Sequence, residues 1–175
     1  MKQTVAQYIK ENTLVFDGSM GTYYAALKEN SSVKCELANV KEPEVILEIH
    51  RRYVEAGCRA LKTNTFAANR TSLECDGELL ARVIHEAWRL ACQAAGEKAF
   101  VFADIGPIPT PEKGDNRAHY YEVIDLFLEL GAKNFLFETF STAEYLPELT
   151  AYIKKRQPES FILTSFAVSP DGYPP

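Results

Sequence analysis

Glu138 stands in the apolar run FLFETF, Phe135 to Phe140, beside Leu136 and Phe137. An ionised carboxylate is costly to desolvate unless a cation or hydrogen-bond donors meet it, and the run supplies neither. Its partner must come from elsewhere in the fold or from a ligand. Comparable groups close other apolar runs of the chain: Asp17-Gly18, Asn64-Thr65, Asp104 and Thr164-Ser165. Any one of them reads equally well as a cap or a turn. As a set, in phase at the ends of successive runs, they favour a shared site. DGSMGT, Asp17 to Thr22, adds glycines that permit tight backbone and leave main-chain amides open to an anion, but its spacing matches neither the GxxxxGK[ST] phosphate loop nor GxGxxG.

The elements that must position these groups follow a repeating pattern. Short apolar runs at LVFDG (14–18), ALKTNTF (60–66), AFVFADIGP (99–107), NFLFETF (134–140) and SFILTSFAV (160–168) read as strands. Between them, amphipathic stretches predict helices over Pro43 to Ala56, Glu78 to Ala95, Ala118 to Leu130 and Thr142 to Arg156, with Pro147 kinking or delaying the last. IPTPEKGDNR, after the third run, reads as a loop over one end of the sheet. Strand-then-helix repetition implies a parallel sheet, and in such folds ligands sit at the carboxyl ends of the strands.

Composition excludes several classes. A chain of 175 residues with 25% charged residues and a formal net charge of -5 suits one globular core, and its scattered lysines and arginines offer no stripe for nucleic acid. No apolar stretch approaches a membrane span, and the N-terminus lacks the apolar segment of a secretory signal. Cys35, Cys58, Cys75 and Cys92 are dispersed without a CxxC pair, which fits reduced thiols in a cytoplasm. His50, His85 and His119 lack the i, i+4 spacing of a helical zinc motif and read as scaffold or surface residues. Tyr23-Tyr24 reads either as a roof over the pocket or as packing of the loop after the first strand.

In succession, FDGSMGT, Asn39 with PEVILEIHRRYVEAG, LKTNTFAANR, FADIGP, FETFST and SFAVSPDGY resemble the homocysteine S-methyltransferase family, a zinc-dependent family of methionine biosynthesis. The resemblance implies a (β/α)8 TIM barrel, with this chain covering about the first five β/α units. It implies methyl transfer to the thiolate of homocysteine from a methyl donor. Asp17, Gly18 and Glu138 would then contact the amino-acid part of homocysteine, and Asn64, Thr65 and Phe66 would line the pocket. At a barrel mouth, Glu138 could meet the substrate's ammonium.

The family's zinc-binding cysteines, one after the sixth strand and an adjacent pair in a GGCCG-like motif after the eighth, have no counterpart in this sequence. The expectation is therefore an N-terminal part of the barrel domain, truncated, metal-free and inactive alone, with self-association through open sheet edges. Two alternatives stay open beside it: a metal-free amino-acid-binding or interaction fragment, and an unrelated barrel lyase using Glu138 as base. Glu138→Gln is expected to weaken homocysteine binding while shifting stability by no more than about ±0.5 kcal/mol.

Overall fold

The computed structural model describes residues 3–28, 34–109, 115–170 and 172. Its strands are β1 (Ala60–Lys62), β2 (Phe100–Ile105), β3 (Asn134–Phe140) and β4 (Phe161–Phe166), all parallel and in the spatial order β1-β2-β3-β4. The helices are α1 (Val5–Tyr8), α2 (Met20–Leu27), α3 (Ala38–Lys41), α4 (Pro43–Glu55), α5 (Arg70–Leu73), α6 (Gly77–Ala95), α7 (Arg117–Glu129) and α8 (Leu146–Arg156), with a 3-10 turn at Cys35–Leu37. Neighbouring strands that follow one another in sequence, each joined by helices to the next, make up the curved wall of a (β/α)8 barrel, of which this chain forms about the first five units.

Several boundaries differ from those expected, each for a local reason. The strand expected at LVFDG is reduced to a bridge between Phe16 and Ala60, held by Asp17 N–H donating to Ala60 O at 2.9 Å and Ala60 N–H donating to Val15 O at 3.0 Å. ALKTNTF is strand only as far as Lys62, because the Thr63 and Thr65 hydroxyls, 2.7 Å apart, bond to the backbone of Asp104 and turn the chain out of the ladder. The last helix starts at Leu146 rather than Thr142, with Pro147 in its first turn, where the missing N–H costs no intrahelical bond. Half of the loop expected at IPTPEKGDNR, residues 110–114, lies outside those described.

Alternation along the strands sorts the core into two layers. Ala103, Ile105, Phe135 and Phe137 face the helices and pack with residues such as Leu80, Ile84, Phe127 and Leu149. Ala60, Phe100, Phe102 and Leu136 face the other way, into the barrel, with Phe16, Phe161 and Leu163 beside them. Side chains two apart on a strand share a face, so Lys62 continues the inner face of β1, Asp104 that of β2 and Glu138 that of β3. Apolar residues floor the barrel, and charged residues follow them at its carboxyl-terminal mouth.

Local signals in the sequence open two of the helices that clamp this sheet. Asp76 accepts the Leu79 N–H at 2.9 Å to start α6, and Pro43 opens α4. Gly57, at φ 103°, follows α4 in a conformation that β-carbon residues avoid. Tyr23 and Tyr24 serve packing: Tyr23 meets Tyr53 edge-on at 5.7 Å, and Tyr24 is buried among Ile46 and Ile49.

Candidate functional site

Asp17, Gly18, Asn64, Thr65, Phe66 and Glu138 all line one cavity of about 400 Å³ at the carboxyl ends of the strands. Lys62 and Cys35, which are not expected at the site from the sequence, line it too, as does Asp104, one of the polar strand ends. Lys62 carried a readable signal, a lone cation inside the run ALKTNTF. Asp104 was visible only as a polar strand end, and nothing near Cys35 in the sequence points to the mouth of the barrel.

Glu138 has a protein partner after all. Lys62 Nζ donates to its Oε1 at 2.7 Å, across the intervening β2, and the two side chains are only 18% and 23% exposed. Strand periodicity explains how: both residues lie on the inner face, whereas their immediate neighbours face the helices. The partner that the run FLFETF lacks thus comes from elsewhere in the fold, and a change at Glu138 would also break this ion pair.

Around this ion pair stand two further carboxyl groups. Asp17 Oδ2 accepts the Lys62 N–H at 3.1 Å, while its Oδ1 is buried without a partner. Burial pushes the Asp17 carboxyl up to about 7 despite the opposing pull of Lys62. Asp104 is buried, its Oδ1 likewise without a partner, and burial together with the charge of Glu138 holds its carboxyl well above the usual range. Burial pulls the Lys62 ammonium down, but the bond to Glu138 and the charges of Glu138, Asp104 and Asp17 outweigh it and hold the group above its ordinary value. Near neutrality the cluster thus centres on one ion pair flanked by two acids that ionise reluctantly. It is short of cationic donors, and a ligand ammonium would supply them.

The remaining wall is scaffold. Asn64 donates to Cys35 O at 2.8 Å and to Asn39 Oδ1 at 3.0 Å, and accepts from the Cys35 thiol at 3.3 Å. With Thr65 bonded to Asp104 O, the polar atoms of both residues are engaged by the protein, and they shape the wall rather than present free donors. Phe66 is 41% exposed at the rim. Behind it, a β-carbon on Gly106 would lie 2.4 Å from Phe66 O, so only glycine lets the two loops pass this closely. The Tyr53 hydroxyl donates to Ser19 O at 3.0 Å and anchors the loop after Gly18, where Ser19 caps α2.

A bulge aims Glu138. Between Phe137 and Phe140 the register of β3 against β4 shifts, Thr139 adopts φ 61°, and its N–H donates to Ser165 Oγ at 2.9 Å. A β-branched residue in this region is strained. Thr139→Gly is expected to stabilise the chain by about 0.5–1 kcal/mol, since relief of strain exceeds the added freedom of the unfolded glycine; urea unfolding measures it, and a destabilised variant would show that Thr139 is not strained.

Among the described residues, no three His, Cys, Asp or Glu side chains are arranged to hold a metal ion. Cys35, the cysteine on the cavity wall, is bonded to Asn64, and its thiol is pushed up to about 12 by burial and by the charge of Glu36, which opposes the thiolate form a zinc ligand needs. The described residues thus offer no donor set for the zinc that the resemblance implies.

The homocysteine S-methyltransferase family model matches residues 14–173. The chain belongs to the homocysteine S-methyltransferase family. Among curated relatives of this family member, a methionine synthase from Mycobacterium tuberculosis is 32% identical over 152 residues, covering 75% of this chain and 13% of that protein. A methionine synthase from Mycobacterium leprae is 38% identical over 77 residues, covering 41% of this chain and 6% of that protein. The chain thus spans a small part of the length of these relatives. Among solved structures, the metallated form of the homocysteine methyltransferase MmuM from Escherichia coli superposes with a TM-score of 0.75 at 20% identity, covering 95% of this chain and 69% of that one. At that identity the likeness speaks for the fold. Family membership sets aside the reading of an unrelated barrel lyase.

Proposed function

We propose that this chain supplies the amino-acid-binding wall of a homocysteine S-methyltransferase. In the complete reaction the homocysteine thiol gives up its proton to solvent, the thiolate sulfur bonds to the methyl carbon as the bond between that carbon and the donor breaks, the demethylated donor leaves with the bonding pair, and methionine is the product. The observation that supports this chain's share is the convergence of Asp17, Asp104 and Glu138 on one cavity at the strand ends. Glu138 and Asp17 would receive the ammonium of homocysteine by charge-assisted bonds in a partly dry site. Gly18, in the loop before α2, and Asn64, Thr65 and Phe66, in the loop after β1, would enclose the rest of the ligand and direct its sulfur outward, toward the methyl donor. Zinc, which the family uses to hold and activate sulfur, would depend on ligands outside the described residues.

The same proposal places the chain in a cytoplasm, where its free thiols stay reduced, with homocysteine and a methyl donor as partners and the exposed edge of β4 as the surface for self-association. No helix among the described residues is long and apolar enough to cross a membrane.

A metal-free amino-acid-binding module is the second reading, favoured by three carboxyl groups that converge on one cavity with no metal-holding cluster among the described residues. Calorimetry of this chain with homocysteine, and methyl-transfer assays on a chain continuing this sequence through the rest of an eight-stranded barrel, separate the two. Saturable homocysteine binding with methyl transfer by the longer chain supports the enzyme. Binding without transfer leaves the module, and no binding of homocysteine overturns both.

A further inference from the structure

We propose that Lys62 recognises the carboxylate of the amino-acid ligand, and that the Lys62–Glu138 ion pair opens to take up both ligand charges, ammonium on Glu138 and carboxylate on Lys62. The inference rests on the amino-acid reading of the site and adds the residue that selects an amino acid over a simple amine.

Three observations carry it. Lys62 is the sole Lys, Arg or His among the residues described around the cavity, so a bound carboxylate has one side-chain cation to meet. Its ammonium is already committed, at 2.7 Å, to the carboxylate best placed for a ligand ammonium. Beside this pair, Asp104 is 3% exposed and keeps one carboxyl oxygen without a partner, leaving an acceptor on the inner face of β2 between the two charged strands.

Charge balance then sets the specificity. A ligand carrying only an ammonium would capture Glu138 and leave Lys62 to Asp104 and Asp17, acids that ionise reluctantly and make poorer counterions. A ligand carrying only a carboxylate would capture Lys62 and strand Glu138. Both outcomes leave a desolvated charge poorly paired, which is the costly state for such a pair. A zwitterion satisfies both, replacing one ion pair by two. Thr139, strained beside Glu138, fixes the β3 side of the gap, and the short strand β1 fixes the other.

The test compares three ligands by calorimetry on this chain: homocysteine, 3-aminopropane-1-thiol, which lacks the carboxylate, and 4-mercaptobutanoate, which lacks the ammonium. Wild type is expected to prefer homocysteine over each analogue by about 30-fold or more. Lys62→Met should reduce the preference over the aminothiol to within about threefold, while Lys62→Arg keeps most of it. Lys62→Gln, which retains a donor without the charge, repeats the measurement if the methionine variant fails to fold. Each preference is a ratio within one variant, so a general loss of stability does not imitate the effect. Full preference for homocysteine over the aminothiol in both neutral variants would overturn the inference and assign the carboxylate to the backbone amides at the start of α2. Failure of wild type to bind homocysteine would overturn the amino-acid reading itself, and this inference with it.

Discussion

Glu138→Gln is expected to weaken homocysteine binding by about 2–4 kcal/mol, roughly 30- to 1,000-fold, because it removes the charge that meets the ligand ammonium while leaving the site desolvated. The neutral amide still accepts a hydrogen bond, but it no longer pairs with a cation. Stability should fall as well, by about 1–2 kcal/mol, since Lys62 loses the partner it holds at 2.7 Å. The loss is moderated by Asp104. Part of what raises its carboxyl is the charge of Glu138, so removing that charge favours the ionised form, and Asp104 becomes a substitute counterion for Lys62. Glu138→Gln combined with Asp104→Asn should therefore cost more than the sum of the two single changes. Calorimetry and urea unfolding on the same samples read both effects. Homocysteine affinity unchanged in Glu138→Gln would remove Glu138 from the site, and additivity of the double variant would remove Asp104 from the role of reserve counterion.

The second large effect is on acid stability and comes from His50. It lies fully buried on α4, neither ring nitrogen has a partner, and burial lowers its imidazole from 6.5 to about 3. The unfolded chain takes up a proton below about 6.5 that the folded chain refuses, so stability is lost as pH falls from there toward 3. By pH 5 the loss from this group is about 2 kcal/mol. Asp17 and Asp104 act with the opposite sign. Their carboxyls are raised in the folded chain, Asp17 to about 7 from 3.8, so the fold holds protons there that the unfolded chain releases, and these groups add stability as pH falls through that interval. In wild type the two trends partly cancel. His50→Leu should unmask the carboxyl contribution, with stability rising between pH 7 and pH 5 relative to wild type by about 2 kcal/mol. Parallel curves for the two proteins in unfolding experiments across this range would show that His50 is not held neutral by burial.

The repeating run-and-helix pattern was legible because each signal is local. Apolar runs of β-branched and aromatic residues, proline at the start of α4 and glycine after it are set by neighbours within a few residues. NFLFETF became β3 without a change of boundary, whereas LVFDG was reduced to a bridge because its pairing depends on a segment more than forty residues away. Glu36, His50 and Cys35 show the limit from the other side. Whether a polar residue is buried depends on which elements cover it, and no spacing along the chain reports that.

For the site, the sequence by itself determined the family, the parallel order of the units and the rule that polar residues closing successive strands gather at one end. Asp17, Gly18, Asn64, Thr65, Phe66 and Glu138 do gather there, around one cavity. Only the tertiary structure decided how they are used. It turned Asn64 and Thr65 toward the protein, left Asp17 and Asp104 each with an unpartnered oxygen, and set Lys62 against Glu138 across β2. The physical reason is that strand identity and strand-end chemistry follow from short-range pattern, while the pairing of a charge is settled by which side chains curvature and register bring within hydrogen-bond reach. Lys62 and Glu138 are 76 residues apart in the chain and 2.7 Å apart in the fold.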